Sequence, residues 1–322
     1  MDISDEVQYG LNRQLPMLAL ESAIITHSLP YPTSLSLPKE LDEIARASGT
    51  IPAHIAIVKG RVKVGLTDSD LAILADPEQD PKQRWKVGRR ELAGAISQGV
   101  NGGLTVSATM KIAQMAGIKI FATGGIGGVH RGAQSTMDIS SDLTELARTP
   151  VAVVCAGAKS ILDIGLTLEY LETLGVPVVT VGRSTEFPAF YTAHSGYHAS
   201  MNCDSVRACA DMIRTSELLK VESGIVFGVP IPKEHSKDGD IIQDAIQQAV
   251  RESEDLKINQ KGKEVTPWLL QRVNQLTAGR SVVANLALIR NNVAVAAQIA
   301  KEYQSLKSHS QEKTAGSCSV CS

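Results

Sequence analysis

Apolar and polar positions follow two rhythms along this chain: short unbroken apolar runs, and longer stretches spaced as helices. The run "MLAL" ends directly before Glu21 in "ALESAIITHSLPYP". "AHIAIVKGRVKVGL" predicts two strands joined by a turn at Lys59-Gly60. "KIAQMAGIKIFATGG" reads as a helix end, a turn at Gly117 and a buried strand running into glycines. "PVAVVCAG" is a further buried strand, "SILDIGLTLEYLETLG" a helix stopped at Gly175, and "VPVVTVG" the next strand. That βαβ unit implies a sheet that is at least partly parallel and covered by helices. "ESGIVFGVPIPKEH" is a strand broken by prolines, and "DGDIIQDAIQQAVRESEDL" an amphipathic helix. The stretch from Pro267 to Leu306 predicts two helices separated at Gly279. The expected fold class is α/β: one α/β/α domain over residues 1–306 with a mixed, partly parallel sheet, then a disordered tail over 307–322.

Composition narrows the partners. Lys and Arg number 32 against 34 Asp and Glu, for a net charge of −2. Such a balance offers no footprint for nucleic acid or an anionic membrane, and aromatics at 4 % are too few for base-stacking platforms. The expected partner is a small molecule. The apolar runs fall short of the ~18–20 residues of a membrane span. The acidic start "MDISDEVQYG" lacks the basic and apolar regions of a secretion signal. Five cysteines, mostly isolated, imply a reducing compartment, so the chain reads as soluble, intracellular and cytoplasmic by default. Cys318 and Cys321 form a lone C-x-x-C without the second pair that a structural zinc site needs.

The densest motif is "GGIGGVHRGAQSTMDISSDL", from Gly124 to Leu143. Read from Gly125, it lacks the third glycine of a dinucleotide fingerprint, and no Gly-Lys-Ser/Thr follows for a P-loop. A glycine loop after a buried strand can still bind an anion through backbone N–H groups, or serve only as a tight strand exit. Asp138 and Asp142 stand four residues apart, the spacing of one helical face or of a loop around Mg²⁺ or Mn²⁺. Asp142 also reads as a helix N-cap, with Glu145 three residues on completing a capping box.

Three further residues have chemistry in reach. Glu21, just after an apolar run, reads either as a carboxylate at a buried strand's end, where burial raises its pKa toward general-acid character, or as an ordinary surface glutamate beginning a loop. Lys159 in "VVCAGAKSILDIG" reads as standing at a helix start, where the dipole opposes its charge and either favours the nucleophilic amine or leaves the side chain reaching out to solvent. Lys86, among Arg84, Arg89 and Arg90, fits either a phosphate site or a solvated helix face.

Taken in order, "ALESAIITHSLPYP", "TGGIGGVHRG", "MDISSDL", "VCAGAKSILDIGLTLEYLETLGVPV", "STEFPAF", "PIPKEH" and "LTAGRSVVANLALIRNN" resemble the pseudouridine-5′-phosphate glycosidases, the indigoidine synthase A-like family. The resemblance runs from about Leu15 to Leu306. It implies reversible cleavage of pseudouridine 5′-phosphate to uracil and ribose 5-phosphate by a homotrimer holding Mn²⁺. It also implies Glu21 as proton donor, Lys159 as covalent nucleophile, Asn285 in the catalytic site and Asp138 as metal ligand. Ser140, Ser141 and Asp142 are implied to line the substrate site, with Lys86, Val106 and His130 as further contacts. Ala23 and Ser28 stand where the family commonly has Thr and Gly.

The implied substrate explains why two carboxylates alone would not serve. Its sugar is joined to a carbon of uracil, so the usual glycosidase step of protonating a leaving oxygen has no purchase. The family's route opens the ribose and forms a lysine imine. A Schiff-base aldolase acting on a ribose phosphate would need a similar lysine, and would not release uracil.

Overall fold

In the computed structural model, which describes residues 1–236, 238–256, 258 and 265–317, the strand Ile51–Val58 has two partners along one edge. Its first half lies parallel to Met17–Leu20, from Met17↔Ile51 to Leu20↔His54. Its second half pairs antiparallel with Asn101–Leu104, through Ala56↔Gly103 and Ile57↔Gly102. On the opposite edge the Lys59-Gly60 turn brings back Arg61–Val64, as its pattern predicts. The fork between the two partners opens just past Leu20, at Glu21 and Ser22. Buried Ser22 closes it: its Oγ donates to the Ile55 carbonyl at 2.6 Å and accepts the Leu104 N–H at 2.9 Å.

The sheet has 11 strands among the described residues. Its order is Asp2–Ile3, Arg61–Val64, Ile51–Val58, Met17–Leu20, Ile120–Ala122, Ala152–Cys155, Ile225–Gly228, Val178–Val181, Met201–Cys203. Asn101–Leu104 branches from Ile51–Val58 and carries Arg84–Val87. From Ile51–Val58 to Met201–Cys203 every pairing is parallel. The central strands are buried on both faces, which is why "AVVC" and "IVFG" read as unbroken apolar runs. The βαβ unit is present, but its two strands are not neighbours: Ile225–Gly228 lies between them.

Helices cover this mixed, mostly parallel sheet. Val106–Ala116 packs against Met17–Leu20, Ile51–Val58 and Asn101–Leu104, beside the short helix Ser141–Leu146. The helix Arg280–Ser317 lies on Met17–Leu20, Ile120–Ala122 and Ala152–Cys155, next to Thr33–Ala47 and Val206–Leu218. Within it, 280–308 is long and apolar enough by length and composition to cross a membrane, which the apolar runs do not anticipate. Half of that window is buried in the fold, with Leu288, Val293, Ala296 and Ala297 fully enclosed. This is how a core helix earns its apolar surface. The same helix continues to Ser317, so the backbone is helical beyond residue 307, where the tail is expected. Cys318 and Cys321 lie outside the described residues. Cys155, Cys203 and Cys209 are free and buried, and burial pushes the Cys155 thiol up to about 12.

Candidate active site

Three adjacent parallel strands end at one edge of the sheet, and each delivers a piece of the site. Met17–Leu20 ends at Glu21, Ile120–Ala122 at Thr123 and the glycines, and Ala152–Cys155 at the loop reaching Lys159. Ligands of open α/β sheets sit beyond such carboxyl ends, because the loops there converge on one crevice.

The glycine loop and the Lys159 loop run side by side. Ile126 bridges Ala158, the Lys159 N–H donates to the Ile126 carbonyl at 3.0 Å, and Val129–His130 pairs antiparallel with Leu162–Asp163. Lys159 is thereby held in a loop. The helix starts only at Ile164, capped by Asp163, so the expectation of Lys159 at a helix start is wrong and the dipole argument falls. The intervening "SILD" is spent on a turn and the short strand Leu162–Asp163.

A cleft with two arms lies along these loops, sharing Lys86, Thr105 and Lys159. The narrow inner arm, about 50 Å³, is walled by Glu21, Ala23, His27, Ser28, Phe190 and Asn285. The wide outer arm, about 570 Å³, is lined by Arg90, His130, Asp138, Ser140, Ser141 and Asp142. Both departures from the resembled pattern, Ala23 and Ser28, therefore face the inner arm. A separate groove of about 410 Å³ at the opposite ends of the strands, beside Lys119 and Tyr303, contains none of the expected site residues.

Glu21 is buried at 9 % exposure. Burial raises its pKa above the ordinary value, opposed by the Lys159 charge and by a hydrogen bond that the Thr123 hydroxyl donates to Oε1. A raised pKa favours the protonated, proton-donating form of the carboxyl. His130 shifts the other way: burial, with Lys86 and Lys159 nearby, lowers its pKa, while Asp138 opposes the shift. Its Nδ1 lies 3.9 Å from Asp138 Oδ2, and its backbone N–H donates to the Asp138 carbonyl at 3.0 Å.

Asp138 and Asp142 do not share a helix face. Asp138 precedes the helix Ser141–Leu146 and its carboxylate is 34 % exposed; Asp142 is buried in the helix's first turn. Nor is Asp142 the N-cap, which is Ser140, its Oγ accepting the Asp142 N–H at 3.3 Å. Glu145 completes no capping box either, being drawn into the core by Arg89, Arg148 and Thr149. Asp142 instead accepts the N–H groups of Ser107 and Gly127, each at 2.9 Å. Gly127 permits that approach, since a Cβ there would overlap the Ser140 side chain and lie 2.8 Å from Asp142 Oδ2.

Of the basic run, only Lys86 and Arg90 line the cleft. Lys86 stands on the strand Arg84–Val87, not on a helix face. Arg89 is committed to buried Glu145, and Arg84 to the Asp76 carbonyl. Val106 points its side chain into the core at 1 % exposure, so any contact with a ligand falls to its backbone in the first turn of its helix.

Sequence reasoning did not single out Thr123, Thr105, Phe190 or Asn292. Thr123 had a signal, standing in "ATGG" directly after a buried strand. Phe190 lay within the quoted "STEFPAF" but had no assigned role. Its backbone is left-handed at φ 65°, a conformation costly for a bulky side chain, and its N–H donates to the Ala156 carbonyl at 3.0 Å. That posture lays its ring on Gly125, where a Cβ would come within 2.7 Å of it.

The assembled geometry has relatives. The family model described as "Indigoidine synthase A like protein" matches residues 6–302. A protein of Clostridium botulinum named pseudouridine-5′-phosphate glycosidase is 49 % identical over 306 residues, covering 95 % of this chain and 98 % of that one. One of Geobacillus kaustophilus with the same name is 48 % identical, covering 93 % and 97 %. Among solved structures, the prealnumycin C-glycosynthase AlnA in complex with ribulose 5-phosphate superposes with a TM-score of 0.86 at 32 % identity, covering 96 % and 98 %. An indigoidine synthase A-like protein of Thermotoga maritima gives 0.81 at 32 % identity, covering 94 % and 97 %. With its fold, its motifs and nearly its whole length in common with them, this chain belongs to the indigoidine synthase A-like family.

Proposed function

We propose that this enzyme reversibly cleaves the C–C glycosidic bond of pseudouridine 5′-phosphate to uracil and ribose 5-phosphate, in pseudouridine catabolism. The observation that carries the reading is the meeting of a buried Glu21, its pKa raised by that burial, with Lys159 on one narrow arm of the cleft. The names of the relatives support the substrate class. Planar uracil suits the narrow arm beside Phe190 and Asn285, and the sugar phosphate the wide arm beside Lys86, Ser140 and Ser141.

In this reading Glu21 gives its proton to the ribose ring oxygen as the bond from that oxygen to C1′ breaks. The Lys159 amine forms a bond to C1′ and gives one proton to the Glu21 carboxylate just formed. Glu21 passes that proton to carbon 5 of the pyrimidine, and the C1′–C5 bond breaks with its electron pair returning to the ring. The Lys159 nitrogen lone pair becomes the second bond of a C1′=N imine. Water hydrolyses the imine to ribose 5-phosphate and the free lysine.

Mn²⁺ belongs to the proposal through Asp138. Among the described residues no three His, Cys, Asp or Glu side chains form a metal cage. A single half-exposed carboxylate on an open arm instead fits a hydrated divalent ion, which keeps several waters and takes one or two carboxylates plus phosphate oxygens. Such an ion would neutralise charge on the sugar phosphate. The assembly is proposed to be a homotrimer in a soluble, cytoplasmic setting.

The test is to trap the imine. Borohydride with ribose 5-phosphate should leave one sugar phosphate per chain, and peptide mapping should place it in "VAVVCAGAKSILDIG". Lys159→Arg should neither trap nor release uracil, because a guanidinium stays protonated. An adduct at Lys86, or uracil release by Lys159→Arg, would overturn the assignment of the nucleophile.

A further inference from the structure

The Glu21 carboxyl is held by a chain of groups that reaches far across the sequence. Thr123, fully buried, donates its hydroxyl to Glu21 Oε1. Its own backbone is fixed from two sides. The Thr123 N–H donates to the Val154 carbonyl at 3.0 Å, and its carbonyl accepts Asn292 Nδ2 at 2.8 Å. The same amide nitrogen reaches the Gly124 carbonyl at 3.2 Å. Asn292 comes from the helix Arg280–Ser317 and has no exposed surface, yet its Oδ1 has no hydrogen-bond partner. An unsatisfied buried acceptor is costly, and a leucine of similar shape would fill the space without one. Packing therefore does not account for an asparagine here; the two consecutive carbonyls it grips do.

We propose that Thr123 and Asn292 are positioning residues for the proton donor. Asn292 fixes the Thr123-Gly124 strand exit, and the Thr123 hydroxyl then holds Oε1 of Glu21, leaving Oε2 to carry the proton and deliver it. As Oε2 releases its proton, the hydroxyl donated to Oε1 stabilises the carboxylate that forms. Neither residue lines the cleft, so both act through Glu21 and not on the substrate. The inference rests on Glu21 as proton donor in the reading above.

The experiment compares Thr123→Val, which keeps the shape, with Thr123→Ser, which keeps the hydroxyl. Thr123→Val should lower kcat roughly 10- to 100-fold, with KM changed by no more than about twofold. It should also move the alkaline limb of the pH–rate profile to higher pH, because a carboxylate that loses a donor holds its proton more tightly. Thr123→Ser should restore both. Asn292→Leu should lower kcat about tenfold and add nothing in the Thr123→Val background, since it works through that hydroxyl. Asn292→Ser serves the same comparison if Asn292→Leu does not fold. A Thr123→Val enzyme with unaltered kcat and limb, or additive losses in the double variant, would overturn the proposal. Glu21→Gln separates the two readings: full activity there removes the proton donor itself. An inactive Glu21→Gln beside an unaltered Thr123→Val removes only the positioning chain.

Discussion

Asp142 holds Gly127: one carboxylate oxygen accepts the Gly127 N–H at 2.9 Å, while the other accepts the Ser107 N–H at the same distance. The glycine loop is thereby tied to the first turn of Val106–Ala116, across the outer arm of the cleft. Hydrogen bonds to a charged acceptor contribute about 1.5–3 kcal/mol each, and both N–H groups lose their partner together in Asp142→Ala. That variant should lose about 3 kcal/mol of stability, read as a lower midpoint in denaturant, and bind substrate more weakly. An unchanged midpoint would show that the brace carries no weight.

Gly127→Ala probes the same contact from the other side. The added methyl would overlap the Ser140 side chain and crowd Asp142 Oδ2. Displacing both should uncap Ser141–Leu146 at a cost of about 1–3 kcal/mol and raise KM at least as much as it lowers kcat. Steady-state kinetics and a thermal melt check this; a wild-type KM would mean that the loop gives way without disturbing the outer arm.

Glu21→Gln keeps the shape of the side chain but has no proton to give, so turnover should fall by at least ~10²-fold. Burial raises the Glu21 pKa, so the wild-type enzyme should lose its acid form, and its activity, only as pH rises through that elevated value. The variant's residual rate should lack this alkaline limb. Stability follows the same sign. A carboxyl with a raised folded-state pKa favours the fold fully below its ordinary value of 4.5 and progressively less as pH rises above it. Glutamine does not titrate, so Glu21→Gln should gain in melting temperature relative to wild type as pH is raised from 4.5 to 8. A constant difference over that range would contradict the burial argument.

Asp138→Ala should abolish stimulation by Mn²⁺ while leaving the melting temperature within a few degrees. Its half-exposed carboxylate faces the outer arm, and a hydrated ion on one carboxylate contributes little to folding. Calorimetric titration with Mn²⁺ is the direct check: unaltered binding by the variant would place the ion elsewhere.

Much of the fold was legible because its signals are local. "AVVC" and "IVFG" announce buried strands by unbroken apolar runs, Lys59-Gly60 announces its turn, and Glu21 stands visibly at a strand end. The motifs from Glu21 to Asn285 pointed to the family in the same way, since each is a contiguous string. Legibility failed where a local signal had a competitor elsewhere in the chain. "SILD" carries a helical pattern after Lys159, but pairing with Val129–His130 draws Leu162–Asp163 into a strand and delays the helix to Ile164. Asp142 has the look of a cap, but backbone N–H groups of the glycine loop and of the first turn of Val106–Ala116 claim its carboxylate.

The sequence by itself determined the classes of element, their order and the types of chemical group available at the strand ends, because backbone propensity and apolar periodicity act over a few residues. Only the tertiary structure decided that Ile225–Gly228 enters between the strands of the βαβ unit, and that Asn292 grips Thr123 from 169 positions away. It also decided that the Glu21 pKa is raised while that of His130 is lowered. A pKa depends on burial and on charges a few ångströms away, and these are supplied by segments that meet only when the chain has folded.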